Sequence, residues 1–416
     1  MGTDFNAYPM YGGRKRCIVD NNGAIICFEG ENQFETMINA NASEYSVMIY
    51  QPKFYYQRVP LATENSSVGK IIKRDSFVIS AIAQNGFKLH PLFKDVNGEE
   101  LDYVLLSAFE GGLCNATGET SNLNITSNNI SSILLTSQYN SKPVTGSQGL
   151  TLANAEAIAT NRGTGWHIMN MAAESANQML ESIEFGTMNG QQALGKGICD
   201  IESSGNKNQS ALTGATYSLG SASGSAAETE YEVDGSRFTL TGNGKVSISY
   251  RGLENPWGNT WNMLGGILIN GSISTKGGIP YICSDFFYSY TSPSSNYHSV
   301  EFTLPNNNGW ISALGYGNKD YDWVLMPAAG DSSANSVLPI GDNGWFDANM
   351  SGNRAVVVGG SWGFGESDGP FYYGCDKAPN DTSYKSYGAR LMFIPTKNNT
   401  YNANIAKWQQ IMNIGG

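Results

Sequence analysis

The hydrophobic pattern has period two over most of the chain and a helical period in one stretch only. CIVDNNGAIIC alternates on both sides of Asn-Asn-Gly, which predicts two short strands joined by a tight turn. From Tyr45, YSVMIYQPKFYYQRV reads as a strand, a proline break and a second, aromatic-rich strand. DSFVISAIAQNGFKLHPLF adds an apolar run closed by a turn at Asn85-Gly86, and DYVLLSAFEG another strand. Between Thr151 and Leu194 the spacing lengthens. Leu152, Ala155 and Ile158 recur at three, with Gly163 as a stop. Ile168, Met171, Ala172, Ser175, Met179, Leu180 and Ile183 recur at three and four, one apolar stripe on an amphipathic helix. A Met stripe at that spacing is core. After residue 243, KVSISYRG, GILINGSIS, SVEFTLP, DWVLMPA, RAVVVGGSW and GARLMFIP predict short strands, and YNANIAKWQQIMNIGG a short terminal helix.

Between these elements lie stretches of Asn, Ser, Thr and Gly. Residues 114–150 and 203–243 are predicted as exposed insertions. Residues 1–44 read as an N-terminal arm, 45–396 as the main domain and 397–416 as a C-terminal tail. No repeat of fixed period occurs. The expected class is α+β: short twisted strands, two central helices and long loops.

Composition narrows the function. Glycine is 49 of 416 residues and charged residues are 15 %, against roughly 25 % in ordinary domains. The net charge of −11 argues against nucleic acid as a partner. No apolar stretch approaches the roughly 20 residues that would insert in a membrane. The start, MGTDFNAYPMYGGRKRC, lacks the apolar core of a secretory signal. Six cysteines at 17, 27, 114, 199, 283 and 375 form no CxxC pair, and Cys17 and Cys27 read best as buried free thiols. His90, His167 and His298 have no metal-ligand spacing, and no nucleophile elbow, HExxH or phosphate loop is present. No catalytic residue and no metal site is expected.

Three segments carry a resemblance: Arg251-Gly-Leu-Glu-Asn-Pro-Trp-Gly-Asn-Thr-Trp261, Arg354-Ala-Val-Val-Val-Gly-Gly-Ser-Trp362 and Gly388-Ala-Arg-Leu-Met-Phe393. Together they resemble the C-type-lectin-like superfamily branch that includes the formylglycine-generating enzymes, over roughly Tyr45 to Pro395. That resemblance implies a C-type-lectin-like domain, with Glu174 on its helix. It gives structural roles to Trp257, Asn259, Trp261, Gly359, Gly360, Trp362 and Arg390. Catalysis in that family uses a cysteine pair with copper, whereas the segment after Trp362 has only Cys375. Asn262 stands where the family's calcium loop has Glu, so at most a weak calcium site is implied and no other cofactor.

GGRKRCIVDNNGAIICF, VMIYQPKFYYQR and RGLENPWGNTW also resemble phage and prophage structural proteins, tail or head fibre components. Some relatives of the lectin-like branch are the variable proteins of diversity-generating retroelements. The resemblance implies a non-enzymatic virion fibre protein, a homotrimer, assembled in the bacterial cytoplasm. Its arm, basic at Arg14-Lys15-Arg16, would dock on other virion proteins, and its C-terminal loops would bind a host-surface glycan or protein. Aromatics among Ser, Asp and Gly suit adaptable recognition loops. The candidate ligand-binding residues are Phe364, Glu366, Asp368, Phe371, Tyr373, Asp376, Ser383, Tyr384 and Lys385. The alternative is a decoration protein of the capsid or tail that binds only other virion proteins.

Overall fold

In the computed structural model the described residues are 4–67, 69–202, 208–271, 277–283, 285, 286, 288, 290, 292–346, 352–381 and 385–413. The chain is mostly β, 34 % strand and 18 % helix, with small sheets in a four-bladed, propeller-like arrangement. This overturns the expected α+β, C-type-lectin-like domain with two helices. Seven sheets are formed among the described residues.

The largest sheet is antiparallel and runs Trp166–Ile168, Leu391–Phe393, Tyr103–Ser107, Tyr45–Pro52, Lys15–Asp20, Ile25–Phe28. The turn at Asn21-Asn22-Gly23 joins the last two as the alternation predicts, and Cys17 and Cys27 are buried free thiols. The first 44 residues are therefore no arm. Cys17, Ile18 and Val19 are core residues. Arg14 and Arg16 are equally buried: Arg14 Nη1 donates to Asn177 Oδ1 (2.9 Å), and Arg16 Nε donates to the Gly252 carbonyl (2.8 Å). Two of the three basic residues expected to dock on a partner are thus spent inside the molecule, where a guanidinium needs such partners, and Lys15 is half-buried.

The terminal residues are also built in. The helix Asn399–Ile411 sets Trp408 on Tyr50 (5.2 Å between ring centroids) and Tyr401 on Tyr103 (5.1 Å). Asn404 accepts from the Ile25 amide and donates to the Gly23 carbonyl and Tyr103 hydroxyl.

The central helix, Met171–Phe185, begins one turn later than the apolar stripe implies. Asn170 caps it by accepting from the Ala173 amide (2.9 Å), while Ile168 belongs to a strand. Gly186, at φ 68°, ends it. Every residue from Met171 to Glu181 is buried, so the helix is enclosed rather than amphipathic. Its polar residues find partners inward: Gln178 Nε2 donates to the Pro370 carbonyl (2.7 Å) and the Tyr373 hydroxyl (3.0 Å).

The two polar stretches are only partly exposed. Ile133–Thr136 pairs with Gly112–Asn115, and Thr136 and Ser137 are fully buried. Ser210–Thr213 is buried too, while residues 116–129 and the Ser236–Thr241 side of the hairpin Glu228–Val233/Ser236–Thr241 are mostly exposed. Small hydroxyl side chains pack here because they find distant partners: the Ser137 hydroxyl donates to the Val47 carbonyl (2.7 Å) and the Thr213 hydroxyl to the Gln138 carbonyl (2.6 Å). SVEFTLP and DWVLMPA contribute only the short strands Tyr297–Ser299 and Pro327–Gly330.

Candidate ligand-recognition site

The glycine- and asparagine-rich motif forms a buried polar knot. Glu110 Oε1 accepts from the Thr260 amide (3.1 Å) and hydroxyl (2.8 Å), and Oε2 from Asn259 Nδ2 (2.5 Å) and Asn255 Nδ2 (3.1 Å). Asn255 and Asn259 hold φ of 47° and 58°, left-handed positions that asparagine tolerates better than most residues. Arg390 Nη2 donates to the carbonyls of Glu254 (2.6 Å) and Asn255 (2.7 Å), which ties the third motif to the first. Burial pushes the Glu110 carboxyl up, against the opposing pull of Arg390 and these hydrogen bonds. Asn259 Oδ1 accepts from the Ala211 amide (2.7 Å), so both ends of its amide are engaged within the protein.

The knot anchors a five-stranded sheet in the order Gly344–Trp345, Gly369–Gly374, Val357–Gly359, Trp261–Met263, Tyr387–Gly388. Gly359 and Gly360 have φ of 91° and 81°. A Cβ on Gly360 would lie 1.8 Å from Asp368 Oδ1, so only glycine fits beside that buried carboxylate. Trp257 is buried beside Gly359. Trp362 is 5 % exposed and closes a small second core with Ile198, Ala211 and Tyr231.

A cavity of about 310 Å³ opens on this sheet. Trp261, Trp345, Phe364 and Tyr387 form its aromatic walls, with Asn308, Asp376 and Lys377 as polar groups. Gly374 also lines it. A Cβ there would meet Val357 Cγ2 at 2.6 Å and approach the Trp261 ring at 3.6 Å, so glycine keeps the cavity open. Trp345 is 38 % exposed, and its indole N–H donates to the buried Tyr372 hydroxyl, which fixes the ring. Trp261 packs on Tyr372 (4.5 Å) and Phe364 (5.6 Å). Asp376 and Lys377 form an ion pair at 2.9 Å. Rigid aromatic faces with a few polar groups bind sugars or planar apolar groups.

Of the residues expected to bind ligand, Phe364 and Asp376 line this cavity. Glu366 is exposed beyond it and Lys385 is half-buried. Asp368, Phe371 and Tyr373 are completely buried, a correction to their expected role. The reason is topological: Gly369–Gly374 is an interior strand of the sheet, packed against the central helix through Tyr373 and Gln178. Burial, then the charge of Asp342, pushes the Asp368 carboxyl well above the usual range. Ser383 and Tyr384 lie outside the described residues. Trp345, Asn308, Lys377 and Tyr387 were not among the expected residues. A lone tryptophan in the polar run Asp342-Asn-Gly-Trp345 was the available signal, since such a residue has little apolar sequence around it to bury it.

No family model matches this chain, and no curated protein matches it.

Proposed function

We propose that the protein is a non-enzymatic recognition component of a phage particle, a tail or head fibre, and that the aromatic cavity binds a glycan on the host surface. The observation that carries this reading is the cavity itself: four aromatic residues held by a rigid sheet, one of them an exposed tryptophan, beside amide, carboxylate and ammonium groups. The low charge and the abundance of Gly, Asn, Ser and Thr agree with a virion surface protein. Asp376 is the one carboxylate among the residues lining the cavity, and it is paired to Lys377. Glycoside hydrolysis of the common two-carboxylate type needs a second. The test is host adsorption by particles carrying Trp345→Ala. Intact particles that fail to adsorb support the reading; normal adsorption removes it.

A second reading, contact with other copies or other virion proteins, is favoured by one observation. The long ribbon Tyr55–Ser66/Gly69–Ser80 carries Val59, Leu61 and Val78 exposed, and the register Gln57↔Val78, Val59↔Ser76 places both valines on one face. A homotrimer would cover them. Monomeric light scattering at micromolar concentration, together with an unchanged mass for Leu61→Lys, would remove this reading.

A further inference from the structure

The edge of the largest sheet borders a second opening that the aromatic cavity does not explain. A cavity of about 510 Å³ runs along Trp166–Ile168 and is lined by Asp95, Val96, Thr164, His167 and Phe286 among others. A second, of about 250 Å³, shares Asp95 and Phe286 with it and extends to Lys94, Asp285, Asp320 and Tyr321. The two openings adjoin at those shared residues, and the larger, termed the groove, is within the range of small-ligand sites.

One buried pair aims a side chain at this groove. Glu156, 5 % exposed, takes His167 Nδ1 at 2.7 Å and the Ile168 amide at 2.9 Å. With Nδ1–H donated to the carboxylate, the neutral form of the ring presents Nε2 as an acceptor where it lines the larger cavity. No partner for Nε2 is found among the described residues, and it is not among the buried polar atoms. The ring also packs on Phe286, 5.3 Å between centroids. Glu156 thus acts as a positioning residue for His167.

The surroundings select the ligand chemistry. Asp95 is the one Asp, Glu, Lys or Arg among the described residues lining the larger cavity, and the adjoining one adds Asp285 and Asp320 against Lys94, so anionic ligands are disfavoured. An added peptide strand is disfavoured as well, although Trp166–Ile168 is an edge strand. The Trp166 amide is already bonded to the Gly163 carbonyl and the Ile168 amide to Glu156. The apolar Phe286 face and the His167 acceptor suit an uncharged molecule carrying many hydroxyls along an apolar ring face. We propose that this groove binds a neutral oligosaccharide, with His167 Nε2 accepting from a sugar hydroxyl and Phe286 beneath a ring. The proposal needs no ligand in the aromatic cavity.

Saturation-transfer NMR on the full chain with cellohexaose, maltohexaose and chitohexaose, and with hexagalacturonate as the anionic control, tests it. We expect at least one neutral hexasaccharide to bind. Its affinity should fall at least tenfold in His167→Ala and in Val96→Arg, which plugs the groove from an exposed position, and should be retained in Trp345→Ala. Should His167→Ala fail to melt cooperatively, Val96→Arg decides alone. Failure of every neutral hexasaccharide to bind, equal binding of hexagalacturonate, or binding lost in Trp345→Ala and untouched by Val96→Arg would each overturn the proposal.

Discussion

Asn259, Thr260 and Trp261 are consecutive, yet they serve two regions of opposite character. Asn259 and Thr260 turn into the knot around Glu110, where each polar atom of that carboxylate accepts hydrogen bonds. Trp261 turns the other way and walls the open cavity with Trp345, Phe364 and Tyr387. The knot converts a glycine-rich, low-charge segment into a rigid support. The cavity uses that support to hold Trp345 and Phe364, which are only partly covered, against Trp261 and Tyr387, which are themselves buried. The difference teaches that residues of one composition are structural where their hydrogen bonds close inward, and available to a ligand where a ring is left half uncovered.

The largest effects should come from breaking the knot. Glu110→Ala leaves the side-chain donors of Asn255, Asn259 and Thr260 without their acceptor in the interior, at about 1–3 kcal/mol for each buried donor left unsatisfied. Urea unfolding should show that loss, or yield no soluble protein. Phe371→Ala should cost about 3–5 kcal/mol through the cavity it leaves in a fully buried site. A melting temperature within a degree of wild type for Phe371→Ala would mean that the strand is not interior.

A pH effect comes next. Burial raises the Glu174 carboxyl to about 8, opposed by Arg390. The folded state therefore holds a proton that the unfolded chain, with its ordinary value near 4.5, has released. Stability from this group is complete below about pH 4.5 and is lost as pH rises through 8, at about 1.4 kcal/mol per unit of separation as an upper bound. Glu174→Gln should flatten that decline in denaturant titrations between pH 5 and 9. A parallel decline in both proteins would contradict the assignment.

The smallest stability effect belongs to an exposed ring. Phe238→Ala should stay within about 0.5 kcal/mol of wild type in unfolding, whereas Trp345→Ala should cost about 1–3 kcal/mol because it leaves the buried Tyr372 hydroxyl without its indole partner. They should separate in binding, because Trp345 lines the cavity whereas Phe238 sits on the outlying hairpin.

Local features were legible in the sequence. The Asn-Asn-Gly hairpin, the helical stretch after Thr151 and the free thiols followed from alternation, spacing and cysteine count. Long-range pairing was not. Leu391–Phe393 inserts between Trp166–Ile168 and Tyr103–Ser107, contacts that no local pattern encodes. The same blindness made Arg14 and Arg16 look like a docking cluster, since their partners Asn177 and Gly252 are far away in sequence. The C-terminal loop was half legible. Phe364 and Asp376 do line the aromatic cavity, but Gly369–Gly374 carries apolar residues on consecutive positions, and such a run marks a strand buried on both faces rather than a surface loop.

The most direct test is a titration of the purified protein with polysaccharide fragments from the host surface, comparing wild type with Trp345→Ala. The account predicts that affinity falls by tenfold or more, in keeping with about 2 kcal/mol for an aromatic anchor, while the variant still melts cooperatively. Equal affinity in the two proteins, with cooperative melting of both, would contradict the assignment of the aromatic cavity as the recognition site.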